Sequence, residues 1–312
     1  MSDALRSPYS GKPNTDPQQA ALIVKIPVTD QQMGTVGQKL KSSLQVKVVD
    51  KNWKPVKGAS VTFKIKAGGG SLGDTGETTV TQITNRNGIA SATLTLGQHT
   101  ADNPSFWITE GNTYSDQYGA NVVDATLDNG IAITTPFTAY GKPGPIDHLR
   151  QTYGDKQIGW IHSFAGFVSL LVEDGYGNPI ANNKVTFTLG TPVNNSKCSN
   201  PNSDNTPASL VKTNDPCIKN SPTTADLGSC KTAAQSIDVI SSSTGAAVEV
   251  ILGGSPETSY PIKAKSKIKT VAEMVFTLTT LPFGNCSGTA EPSYQLTTTY
   301  VIPSDNYGHN IN

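Results

Sequence analysis

Two stretches of this chain repeat one pattern, and that repetition constrains the fold more than any other feature. Leu44 to Phe63 reads LQVKVVDKNWKPVKGASVTF, and Val168 to Phe187 reads VSLLVEDGYGNPIANNKVTF. Asp50 and Asp174, Pro55 and Pro179, and Phe63 and Phe187 stand at one common offset of 124 residues. In each copy an alternating strand such as Leu44, Val46, Val48 ends at an Asp, a polar turn follows, and a second alternating strand begins. This is the signature of a β-hairpin whose apolar face needs a covering layer.

Further on, Gly88 to Leu94 aligns with Gly245 to Ile251 at an offset of 157, so the second copy carries 33 extra residues between the two landmarks. Gly88 and Gly245 are expected to mark turns with positive φ. Ala125 matches Ala264 and Phe137 matches Phe276, both at 139, which leaves the first copy with an 18-residue insertion of its own. That insertion holds Phe106, Trp107, Tyr114 and Tyr118. A fainter third copy runs from Asp305 to Ile311, where Asp, Tyr, Gly and Ile recur in the order of Asp174, Tyr176, Gly177 and Ile180.

The expected class is all-β: tandem immunoglobulin-like β-sandwiches with a partial third repeat at the C-terminus. The expected divisions are an extended leader over 1–19, a first sandwich over 20–141, a short linker over 142–144 and a second sandwich over 145–280. The last segment, 281–312, reads as a partial repeat or a partner-completing strand. Pro143 in the linker and Pro145 directly after it stiffen the junction. The 29 Gly and 20 Pro residues, with 36% hydrophobic content, agree with short strands and many turns and exclude long helices.

The 24 basic and 24 acidic side chains cancel, and charged residues are only 15% of the chain. A nucleic-acid or anionic-membrane partner needs a basic field, so neither is expected. The apolar run from Ala20 to Val28 carries Lys25 and Pro27 and is too short to span a bilayer. Cys198, Cys217, Cys230 and Cys286 match no zinc, redox or haem spacing and read as two disulfides. Three pairings are possible; a short local loop favours Cys198 with Cys217, leaving Cys230 with Cys286. Disulfides imply export to an oxidising compartment, extracellular or at the cell surface, with the signal outside this chain.

The joint order of an Asp-closed strand, an Asn-Pro or Lys-Pro turn, a Val-Thr-Phe strand and the Gly88-Ile89-Ala90-Ser91-Ala92-Thr93-Leu94 run resembles the bacterial immunoglobulin-like group 1 domains of invasin- and intimin-type surface proteins. The resemblance covers roughly residues 20 to 280. It implies tandem β-sandwiches in a surface or extracellular setting, where such domains space a binding tip from the cell.

Catalytic constellations do not emerge. His99, His148, His162 and His309 are scattered without ligand spacing, so no metal and no cofactor is expected. The run Gly68-Gly69-Gly70-Ser71-Leu72-Gly73 lacks the Gly-Lys-Ser/Thr ending of a phosphate loop and reads as a flexible turn. Asp50 and Asp174 read as turn residues that accept backbone N–H bonds. The candidate binding surface is the aromatic set Phe106, Trp107, Tyr114 and Tyr118, because flat amphipathic rings bind glycans or proteins at low entropy cost. Packing within the domain or at a domain junction is the competing explanation for those rings.

Three functions follow from these features. The first is a non-catalytic stalk or adhesion module with a protein or glycan partner on a facing surface. The second is a subunit of an extracellular filament, in which neighbouring copies complete each other's sheets by strand addition. The third is a carbohydrate-binding accessory module.

Overall fold

The computed structural model describes residues 19–100, 120–194, 206–220, 230–268 and 270–281. The leader and the partial third repeat therefore lie, apart from a residue each, outside the described residues. Between Lys142 and Pro143 the chain divides into two compact units.

The first unit holds strands β1 (Leu22–Lys25), β2 (Gln32–Thr35), β3 (Leu44–Val49), β4 (Ser60–Ala67), β5 (Ser71–Leu72), β6 (Thr79–Ile83), β7 (Ile89–Ala92), β8 (Leu94–Thr95), β9 (Ala120–Leu127) and β10 (Phe137–Lys142). One sheet has the order β1-β3-β7, the other β2-β10-β9-β4-β6, and β5 pairs with β8. The second unit holds β11 (Ile146–Tyr153), β12 (Ile158–Gly159), β13 (Phe164–Asp174), β14 (Lys184–Leu189), β15 (Val193–Asn194), β16 (Ser209–Lys212), β17 (Ser236–Ile240), β18 (Ala246–Ile251), β19 (Thr258–Ser266) and β20 (Met274–Thr280). Its sheets run β11-β13-β18-β16 and β12-β20-β19-β14-β17, with β15 added against β19.

The repeated sequence thus becomes a repeated topology. Replacing β1, β3, β7 by β11, β13, β18 and β2, β10, β9, β4, β6 by β12, β20, β19, β14, β17 turns one unit into the other. In both, the first short edge strand runs parallel to the last strand, β2 against β10 and β12 against β20, while the other paired strands are antiparallel. The second unit has one strand more on its smaller sheet, β16, which comes from the 33-residue insertion.

Period-two alternation decides which side chains meet between the sheets. In β3, Leu44, Val46 and Val48 face the first core, and in β13 Val168, Leu170 and Val172 face the second. Phe63 and Phe187 lie in the equivalent strands β4 and β14, opposite Ala125 and Ala264, and both are fully buried. The small partner leaves room for the ring. In the first unit Phe137 fills the adjoining space, its ring centroid 6.5 Å from that of Phe63.

The glycine-rich run is a tight joint rather than the flexible turn expected from its composition. A Cβ on Gly70 would fall 2.5 Å from the side-chain oxygen of Asn121 and 2.6 Å from the Thr95 carbonyl oxygen, and one on Gly97 only 1.8 Å from the Gly68 carbonyl oxygen. The fully buried Asn121 accepts a 2.8 Å hydrogen bond from the Gly97 N–H. Glycine is needed here because two backbone segments cross in contact. Gly88 and Gly245 have the positive φ expected of them, 73° and 119°.

Candidate functional site

Phe106, Trp107, Tyr114 and Tyr118, the candidate binding surface, lie outside the described residues, as do Cys198 and Cys286. Cys217 and Cys230 are described, and they are joined to each other with a Cα–Cα distance of 5.1 Å. This corrects the expected pairing of Cys198 with Cys217 and of Cys230 with Cys286. Loop closure explains the choice: Cys217 and Cys230 are separated by only 13 residues, a shorter loop than the one favoured on sequence grounds.

The disulfide belongs to a second layer on the outer face of the β11-β13-β18-β16 sheet. Val211 of β16, Ile251 of β18, Cys217 and Cys230 form a small separate core, against which Phe164, Ile218 and Ala233 pack. A 3₁₀ turn over Pro216–Asn220 carries Cys217 into it. Asp215 organises this turn, accepting from the Cys217 N–H at 3.2 Å and from the Thr232 N–H and hydroxyl at 2.8 Å each. Burial pushes the Asp215 carboxyl up, but the Thr232 and Cys217 donors outweigh it and hold the group below its ordinary value.

Glu249 shares the outward face of β18 with Ile251 and stands opposite Phe167 of β13 and Val211 of β16. It is 7% exposed, its Oε2 has no hydrogen-bond partner, and burial pushes its carboxyl up to about 7. The sequence held no clear signal for it, because an outward-facing Glu between Val248 and Val250 reads as a hydrated side chain. The available hint was its company on that face: Phe167, Val211 and Ile251 are too apolar for a bare surface.

A second buried carboxylate, Glu173, is fully paired. Arg150 grips it bidentately at 2.8 to 3.0 Å, and His148 Nε2 lies 3.1 Å from Oε2 while its Nδ1 lies 3.1 Å from Asp147. These residues came from β11 and β13, strands paired in a register that the sequence alone did not reveal.

The two repeated aspartates do the work expected of turn residues. Asp50 Oδ1 accepts from the Asn52 and Lys54 N–H groups at 2.8 and 2.9 Å, and Asp174 Oδ1 accepts from those of Tyr176 and Asn178, both at 2.9 Å. Asp174 goes further, because its Oδ2 also accepts from the Gly144 N–H at 2.8 Å and from the Asn178 side chain at 3.0 Å. Burial raises its carboxyl, but these hydrogen bonds prevail and hold it below the ordinary carboxylate range.

Two surface hollows lie among the described residues. One, of about 430 Å³, is lined by Val24, Lys25, Pro27, Asp30, Gln31 and Thr134. Its lysine is already committed: Lys25 bonds Asp30 and the Pro136 carbonyl and sits 5.5 Å above the Phe137 ring. The other, of about 320 Å³, is an open groove between Thr186, Thr188, Lys263, Lys265, Lys267 and Glu273 on the second unit. Among the described residues no three His, Cys, Asp or Glu side chains are grouped to hold a metal ion.

No protein-family model matches the sequence, and no curated protein matches it. Distant likenesses exist among solved structures. The Escherichia coli adhesin FdeC is similar at 12% identity and a TM-score of 0.39, over 82% of this chain and 63% of that one. Yersinia pseudotuberculosis InvD is similar at 15% identity and a TM-score of 0.40, over 86% of this chain and 60% of that one. A glycosyl hydrolase family 2 member from Bacteroides cellulosilyticus is similar at 14% identity and a TM-score of 0.29, over 79% of this chain and 25% of that one. This chain spans about three fifths of the length of FdeC and InvD.

Proposed function

We propose that the chain is a non-catalytic part of an exported, cell-surface protein, in which tandem immunoglobulin-like sandwiches serve as stalk and adhesion module. The observation that carries this reading is the duplicated topology: the same two-sheet order is built twice, with only residues 143–145 between β10 and β11. A repeated self-contained unit is how a chain gains reach without new chemistry. The Cys217–Cys230 disulfide supports an oxidising compartment, and the motif order shared with bacterial immunoglobulin-like group 1 domains supports a surface setting.

The buried carboxylates agree with a structural role. Asp174 and Glu173 are occupied by turn and strand partners, so neither is free to act on a substrate. Within this reading Phe106, Trp107, Tyr114 and Tyr118 form the contact with a protein or glycan on the facing surface.

Protease treatment of intact source cells tests the proposal. The chain is expected to be shed as fragments while cytoplasmic markers stay intact, and replacing the four aromatics by Ala is expected to abolish attachment without loss of export. Resistance of the chain until the cells are lysed would contradict the surface assignment.

A further inference from the structure

The turn between β3 and β4 carries Trp53, whose side chain is 70% exposed. Its backbone is left-handed at φ 63°, a region that bulky residues rarely occupy. The second unit shows what this turn requires. The Trp53 N–H donates to the Asp50 carbonyl and the Gly177 N–H to the Asp174 carbonyl, each at 3.0 Å, so the two turns close alike. Gly177 has φ 79° and open space where a side chain would begin. The fold therefore needs no tryptophan here, and glycine holds the same conformation with less strain.

The cations around the ring follow the same rule. Lys51, Lys54 and Lys57 lie in this loop and are exposed. Arg86, also exposed, belongs to the turn over 85–88, which packs against the loop: the Gly58 N–H donates to the Thr84 carbonyl at 2.9 Å, and the Thr84 hydroxyl to the Val56 carbonyl at 2.7 Å. Among the described residues none of these four cations is ion-paired. Facing the four are two carboxylates, Asp50, which accepts from turn N–H groups, and Asp128, beside Ser60. In the second unit the offsets of 124 and 157 put Gly175, Asn178, Ala181 and Ser243 at the four positions, and every one is neutral. That turn exposes a ring of its own, Tyr176 at 43%, but no Lys or Arg stands between Asp174 and Asn183.

We propose that this end of the first unit binds an acidic glycan whose pyranose rings bear carboxylates, with Trp53 stacked on a sugar face and Lys51, Lys54, Lys57 and Arg86 holding the anionic groups. An exposed flat ring among unpaired cations selects a ligand that offers a flat C–H face and a negative charge at its edge. A uronic acid unit has both. The exposed amides of Asn52 and Asn87 supply donors and acceptors for its hydroxyls. A bilayer contact would draw on more apolar area than one ring provides, and a nucleic acid on a wider basic field than a chain of zero net charge carries. The site adds a ligand to the surface reading above; its failure would leave that reading standing, because protease shedding tests it separately.

The experiment is calorimetric titration of the full chain with a hyaluronan octasaccharide, which bears a carboxylate on alternate sugars. Maltooctaose, an oligothymidylate and phosphatidylserine vesicles are titrated in parallel. Binding is expected for the uronate chain alone and is expected to weaken as salt is raised. Trp53→Gly, and separately the pair Lys51→Gly and Lys54→Asn, install the residues of the second turn, so the melting temperature is expected to hold or rise while affinity falls about tenfold or more. Trp53→Asn, a residue that tolerates the left-handed region, takes the place of the Gly variant should that one fold poorly. Absence of binding to the uronate chain, equal binding of the neutral chain, tighter binding of the oligonucleotide or the vesicles, or undiminished affinity in the variants would overturn the proposal.

Discussion

Asp50 and Asp174 occupy the same place in two copies of one turn, yet the structure loads them unequally. Asp50 accepts two backbone bonds in a partly exposed turn, whereas Asp174 is 1% exposed and also accepts from Gly144 and from the Asn178 side chain. Removing an acceptor that leaves buried donors unpaired is costly, so Asp174→Ala is expected to destabilise the second unit by about 3 kcal/mol, and Asp50→Ala the first by about 1 kcal/mol. Urea unfolding of each variant measures both. The pH response has a definite sign: the Asp174 carboxyl is held below its ordinary 3.8, so its stabilising contribution is complete above that value and is lost as pH falls through the depressed folded-state value. Glu249 acts in the opposite sense, its contribution falling as pH rises from 4.5 to about 7. Acid unfolding of Asp174→Asn should accordingly lack the part of the wild-type loss that sets in below pH 3.8.

At the level of elements, the crossing of Gly68–Gly70 over Gly97 fixes how β4 and β5 return towards β8. Gly97→Ala would drive a methyl to within 1.8 Å of the Gly68 carbonyl oxygen, and no flexible side chain is there to yield. A loss of about 3 kcal/mol or more is expected, confined to the first unit. Gly58→Ala, at φ 80° but with open space around it, should cost only about 1 kcal/mol from backbone strain. Replacing both Cys217 and Cys230 by Ser is expected to lower the stability of the second unit by about 3 kcal/mol, the amount associated with closing a loop of that length; differential scanning calorimetry would show it.

These elements also show what could be read before folding. The alternating strands and the turn roles of Asp50 and Asp174 were legible because alternation and turn chemistry are local, and the offset of 124 carried them from one copy to the other. The glycine joint was misread, since its cause is a backbone some 30 residues away in sequence, and composition cannot distinguish a packed glycine from a mobile one. Glu249 was illegible for a related reason: its neighbour Val211 on β16 comes from an insertion that the repeat does not contain. The disulfide pairing depended on which loop closes, and local loop length was applied to the wrong pair.

For the whole molecule, the account holds that one folding unit has been used twice. Each unit has its own interior: the first around Leu44, Val61, Phe63 and Phe137, the second around Leu170, Val185, Phe187 and Phe276, each side chain fully buried. A sandwich whose core is closed within its own strands should fold without its neighbour. Calorimetry of residues 19–142 and 143–281 as separate polypeptides, beside the full chain, tests this most directly. Each piece is expected to melt in one cooperative transition with an enthalpy of about 0.7 kcal/mol per residue near 60 °C, the two together accounting for the heat absorbed by the full chain. If either piece alone showed no cooperative transition while the full chain melted sharply, the two repeats would not be self-contained sandwiches, and the central claim would be wrong.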